Sequence, residues 1–184
     1  MHITIVPTRK EKEHILQIDD ARLIFRNFSG RADKFNAAGD RNFAIVIPTQ
    51  EHADALMENV NRFGVGWNVK IKAPREAGDE PFRYLKVKVK FNDRGPTVYL
   101  RSGNNRRQLD EETIGILDNI DIAHVDLDIR PYDDEGTYGP HRTAYLLSME
   151  VTQNIDRFAA RYAEEEYPHR RDGSHLGRCQ EDPQ

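Results

Sequence analysis

Apolar and polar residues alternate along 84–91. Leu85, Val87, Val89 and Phe91 fall on one side, and Tyr84, Lys86, Lys88 and Lys90 on the other. That period of two predicts a strand with one buried face. Residues 122–130 repeat the pattern, with Val125, Leu127 and Ile129 set against His124, Asp126, Asp128 and Arg130. Weaker strand signals run over 15–26, 42–47, 67–72, 97–101 and 143–151. Helical spacing is strongest over 50–63, where Ala53, Leu56, Met57, Val60 and Phe63 share a face, Thr49 suits an N-cap and Gly64 a stop. Shorter helical stretches cover 110–119 and 154–166. Strands this closely spaced favour a sandwich or barrel, and the helices are too few for a parallel α/β sheet. The expected fold is mainly β (α+β), with two or three helices. Phe25, Phe43 and Phe91 lie on strands and are expected in the core. Residues 27–41 form a long, glycine-containing, basic connection, and long loops in compact domains are usually functional or disordered.

Length adds the domain plan. The 184 residues suit one domain with tails. We expect an N-terminal segment, 1–14, with strand character, a domain over 15–166 and a flexible tail over 167–184. The single cysteine, Cys179, excludes an intrachain disulfide and fits a reducing compartment. No run of about 18 apolar residues is present, so no membrane helix is expected. Met1-His2-Ile3-Thr4-Ile5-Val6 lacks a basic stretch leading into a long apolar one, so no signal peptide is expected and the cytoplasm is the expected location.

Charge changes the picture more. The net −4 conceals a split: residues 21–107 carry 17 basic and 9 acidic side chains, and residues 108–166 carry 4 and 15. The basic half suits a polyanion, while the acidic half would repel one or meet a basic partner. Within the basic half, aromatic rings and cations interleave. Single-stranded nucleic acid calls for that combination, because cations track phosphates while rings stack on exposed bases. The candidate phosphate contacts are Arg26, Arg31, Lys34, Arg41, Lys70, Lys72, Lys86, Lys88, Lys90 and Arg101. The candidate stacking rings are Phe28, Phe35, Trp67 and Tyr84. The lysine face of 84–91 has a plainer explanation, since edge strands use Lys to resist aggregation.

Other chemistry is thinner. Asp118, Asp126 and Asp128 could hold Mg²⁺ for nuclease chemistry, but an i, i+2 pair of aspartates is a weak signal. His169, His175 and Cys179 fall one ligand short of a structural zinc site. Gly64-Val65-Gly66 lacks a third glycine and a preceding strand, so it reads as a turn and not a phosphate loop. No nucleophile elbow surrounds Ser148 or Ser174. Neither catalysis, a cofactor nor a metal is expected.

Several strings resemble a family of bacteriophage single-stranded DNA-binding proteins. They are Phe25-Arg26-Asn27-Phe28-Ser29-Gly30, Gly39-Asp40-Arg41-Asn42-Phe43, Gly66-Trp67-Asn68-Val69-Lys70, the run from Val125 to Tyr132, and Val151-Thr152. The resemblance covers about residues 20–163. It implies an OB-type antiparallel barrel that coats single strands during phage replication or recombination. Residues 27–41 would be the ligand-contacting loop after the first strand. It also implies replication or recombination proteins as partners, and a homo-oligomer is a further expectation. Many such proteins recruit partners through an acidic C-terminus, whereas the end of this chain is mixed in charge. Two alternatives remain open from the sequence: a phage structural or host-interacting protein working through the acidic half, and a metal-dependent nuclease.

Overall fold

The computed structural model describes residues 1–9, 13–74, 76, 78–93 and 95–155. Ten strands form one mixed sheet: β1 His2–Pro7, β2 His14–Asp19, β3 Leu23–Asn27, β4 Asn42–Val46, β5 Val69–Lys72, β6 Phe82–Lys88, β7 Thr97–Ser102, β8 Asn105–Leu109, β9 Ile122–Gly136 and β10 Gly139–Gln153. The hydrogen-bonded path runs β1-β2-β9-β10-β6-β4-β3 and is open at both ends. The strand β5 pairs with β6, and the β7–β8 hairpin joins β10. Most neighbours are antiparallel, but β10 runs parallel to β6 and to β7. The described residues of the unit Met1–Asn154 make up this fold.

The alternating strands behave as their pattern dictates. Leu85, Val87 and Val89 of the 84–91 stretch are buried, and so are Val125, Leu127 and Ile129 of β9. They pack with Leu16, Phe43, Ile45 and Val151 in one core. The expected strand over 15–26 is broken into β2 and β3. Asp20, at φ 54°, turns the chain between them, and the Ala21 amide donates to the Val125 carbonyl at 2.8 Å.

The helical expectation is corrected. Among the described residues there is one α-helix, α1 Gln50–Glu58, together with a 3-10 helix at Ile114–Asp118. Thr49 caps α1 by accepting from the His52 amide, as its position suggested. The helix stops well short of Gly64 because Asn59 leaves the helical conformation, at ψ 75°. The Asn59 side-chain oxygen accepts from the Trp67 indole at 3.1 Å, and its carbonyl accepts from Arg142 at 2.8 Å. Val60 is consequently exposed. At Gly66 the chain passes so close to Met57 that a Cβ would overlap the Met57 carbonyl. The expected helix over 154–166 lies outside the described residues but for its first two positions, and the tail with His169, His175 and Cys179 lies wholly outside.

Candidate nucleic-acid interface

The lysine face of β6 continues across its neighbours. Lys70 of β5 lies opposite Tyr84, and Lys72 opposite Phe82. On the other edge of β6, Ala44 of β4 lies opposite Lys86 and Asn42 opposite Lys88. Directly paired residues project from the same side of a sheet, so these side chains share one face. Lys70, Lys72, Lys86, Lys88 and Lys90 are all exposed.

A groove of about 420 Å³ opens on this face, over the small side chain of Ala44. Phe25, Phe35 and Tyr84 supply its rings, and Lys72 and Lys86 its ammonium groups. Phe25 is 60% exposed and meets Tyr84 edge-to-face at 5.6 Å. The Lys72 ammonium stands 5.8 Å from the Phe25 ring and 5.5 Å from the Tyr84 ring. Phe82 extends the cluster, 5.8 Å from Tyr84. Both Lys72 distances lie within the range in which an aromatic face attracts a cation.

Phe25 owes its position to the backbone. Between Ile24 and Asn27 the pairing of β3 with β4 shifts register, and Phe25 takes φ 50°. A bulge of this kind re-aims a side chain, and positive φ on a bulky residue is strained. The expectation that Phe25 is buried is therefore corrected. Phe43 is buried as expected, and Phe91 is half-buried.

The β3–β4 loop, residues 28–41, forms one wall. Asp33 Oδ1 accepts from the Phe35 amide at 2.6 Å and the Asn36 amide at 2.8 Å, a tight turn that leaves Phe35 79% exposed. The Phe35 amide, the Asn36 side chain and then the Lys86 charge hold the Asp33 carboxyl below the usual carboxylate range. Lys34 stands 5.2 Å from the Phe35 ring. Lys86 reaches the loop by donating to Asn36 at 3.4 Å. The base of the loop is clamped by Asp118, whose carboxylate accepts from the amides of Phe28 and Ser29 at 2.7 and 3.0 Å. Gly30, at φ 68°, accepts from the Gly39 amide at 2.8 Å where the two arms of the loop meet.

Two expected stacking rings are corrected. Phe28 is fully buried and stacks on Phe43 at 5.0 Å, so no ring face reaches solvent. Trp67 is 2% exposed, with the Arg142 guanidinium 5.1 Å from its ring. Of the expected phosphate contacts, Arg26 lines the groove, but its guanidinium donates to the Leu117 and Ile120 carbonyls. Arg41 is paired with Glu111 at 2.8 Å. Arg101, on β7, is paired with Glu150 at 2.8 Å. Arg31 is exposed in the loop but does not line the groove.

Sequence reasoning missed Phe25 and Phe82. Phe82 was within reach, since extending the alternation of β6 back by one repeat puts it on the face of Tyr84. Phe25 carried no such signal, because alternation alone sets it beside Leu23. The three aspartates weighed as a nuclease centre are engaged separately. Asp118 clamps the loop, Asp126 pairs with His124 at 2.8 Å, and Asp128 accepts from Ser148 at 2.7 Å. Among the described residues no three His, Cys, Asp or Glu side chains are grouped to hold a metal. Nor is any helix among them long and apolar enough to cross a membrane.

The family model described as "Putative phage ssDNA-binding domain" matches residues 6–171. The chain belongs to this family of phage single-stranded DNA-binding domains. Three solved structures are similar to it. The single-stranded DNA-binding protein from bacteriophage Enc34 is 16% identical over 84% of this chain and 93% of that one, with a TM-score of 0.47. The same protein in complex with ssDNA is 16% identical over 84% and 98%, with a TM-score of 0.48. Its C-terminal truncation is 18% identical over 84% and 96%, with a TM-score of 0.47. No sequence among the curated proteins matches the chain.

Proposed function

We propose that this phage single-stranded DNA-binding domain holds the strand in the β3–β4–β5–β6 groove and coats it without sequence preference during phage replication or recombination, in the host cytoplasm. The observation that carries this reading is the union of rings and ammonium groups in one groove: exposed Phe25 and Phe35 and half-buried Tyr84 beside Lys72 and Lys86. Bases stack on the rings and phosphates pass along the lysines. Base stacking tolerates any base, so little sequence preference is expected. The role is binding and not catalysis.

We read the core as an OB-type barrel. If β2 and β3 act as one kinked first strand, the order β2/β3–β4–β6–β10–β9 returns to β2, and β6 with β10 supplies a parallel contact inside that ring. The bond from Ala21 to Val125 supports continuity across the kink. In that fold the face of the second and third strands and the loop after the first bind oligonucleotides, which here means β4, β6 and residues 28–41.

The test is the salt dependence of oligo-dT binding. Replacing Lys72, Lys86 and Lys88 together by Ala removes three phosphate partners, each worth about 0.7 in the slope of log affinity against log salt. The slope should fall by about 2. An unchanged slope places the strand elsewhere on the molecule.

A further inference from the structure

The same sheet face continues past the groove. Lys88 lies next to Tyr145 in the parallel pairing of β6 with β10, and Tyr145 lies opposite Arg130 in the pairing of β10 with β9. One row of side chains therefore crosses four strands: Asn42, Lys88, Tyr145, Arg130. At its far end is a second depression of about 470 Å³, lined by Lys90, Asn92, Asp93, Arg130, Tyr132 and Tyr145.

Its chemistry repeats that of the groove. Tyr132 is 48% exposed and meets Tyr145 edge-to-face at 5.9 Å. The Arg130 guanidinium is 5.4 Å from the Tyr145 ring. These rings do not belong to the core, because Ala144 and Leu146 on either side of Tyr145 are the buried positions of that stretch. One carboxylate, Asp93, lines the depression against two cations.

We propose that Tyr132 and Tyr145 form a second base-stacking station, so that one single strand crosses the sheet from the β3 bulge to β9, with Lys86 and Lys88 on the phosphates between. This rests on the single-strand reading of the groove. From Tyr84 to Lys88 is four residues of strand, about 13 Å, and Tyr145 is one strand further, about 4.8 Å to the side. Those offsets combine to roughly 14 Å, several times the ~3.4 Å between stacked bases, so the two stations engage different nucleotides. The second station therefore matters only for a strand long enough to reach it.

The test measures anisotropy of labelled oligo-dT of about 4 and about 16 nucleotides, inside the range of site sizes such folds show; four stacked bases span only about 10 Å and fall short of the second station. The variant combines Tyr132→Leu and Tyr145→Leu, which keep apolar bulk, and its thermal midpoint is compared with the wild type. The station predicts that affinity for the long oligomer falls at least about fivefold, the lower end of a lost base–aromatic stack, while the short oligomer changes less than about twofold. Two results overturn it: unchanged affinity for both lengths, or an equal loss at both lengths with a lowered midpoint. A wild type that binds neither length defeats the single-strand reading itself. A wild type that binds both, is weakened by Phe25→Ala and is indifferent to the tyrosine pair defeats only the second station.

Discussion

Phe25 and Phe28 are three residues apart and face opposite environments. Phe25 sits in the bulge with its ring in solvent, and Phe28 is enclosed against Phe43. Their alanine variants should separate cleanly. Phe25→Ala should weaken oligo-dT binding about 5- to 150-fold, the range for one lost stack, and leave the urea midpoint in place. Phe28→Ala should destabilise the fold by about 3–5 kcal/mol in the same denaturation experiment. Loss of stability from Phe25→Ala with no loss of binding would reverse the assignment. The distinction was only partly legible in the sequence. Tyr84 and the lysines of β6 follow from period two, because an unbroken strand fixes which side each residue takes. Phe25, Phe28 and Trp67 do not. A bulge moved the first outward, while the other two were drawn inward by a neighbouring ring and by the Asn59 and Arg142 contacts, none of which leaves a trace in local pattern.

The element that shapes the groove is the β3–β4 loop, and the 3-10 helix holds it through Asp118. Asp118→Ala leaves the Phe28 and Ser29 amides without their acceptor, which costs about 1–3 kcal/mol locally. Hydrogen exchange at those two amides should accelerate strongly, while exchange in β9 and β10 is unchanged. Unchanged protection at Phe28 and Ser29 would mean the loop is held by other means. The β9–β10 hairpin carries its own device, a buried Arg142 directly opposite a half-buried Asp133. Burial opposes ionisation of Asp133, but its carboxyl is held below its ordinary value, with the two hydrogen bonds from Arg142, at 2.7 and 3.0 Å, the largest lowering cause. A carboxyl depressed in the folded state stabilises above its unfolded pKa of about 3.9, and that contribution fades as pH falls through the lower, folded value. Asp133→Asn strands the buried Arg142 charge and should destabilise by about 3–5 kcal/mol at neutral pH, with a smaller further loss on acidification than the wild type shows. An equal acid loss in both proteins would remove Asp133 from the account. Strand identity here was legible where a buried face alternates, as in β6 and β9. It was not legible in β8, whose Asn105-Arg106-Arg107-Gln108 run is exposed throughout and is a strand because β7 offers it an edge.

Among the described residues, ion pairs join the basic and acidic halves of the chain. Arg41 pairs with Glu111, and Arg101 and Arg106 both pair with Glu150, whose carboxyl they hold below its ordinary value. Part of the positive charge counted along the sequence is thus consumed inside the fold. The lysines of β5 and β6 are left on one face beside exposed rings. On the proposed reading, that arrangement favours a single strand over a duplex, since only unpaired bases present ring faces for stacking. The direct test is fluorescence anisotropy of a labelled oligo-dT and of a duplex of equal length, each at two salt concentrations. The single strand should bind more tightly than the duplex at both, with affinity weakening as salt rises. Equal affinity for the two forms, or no binding at low salt, would contradict the proposed reading.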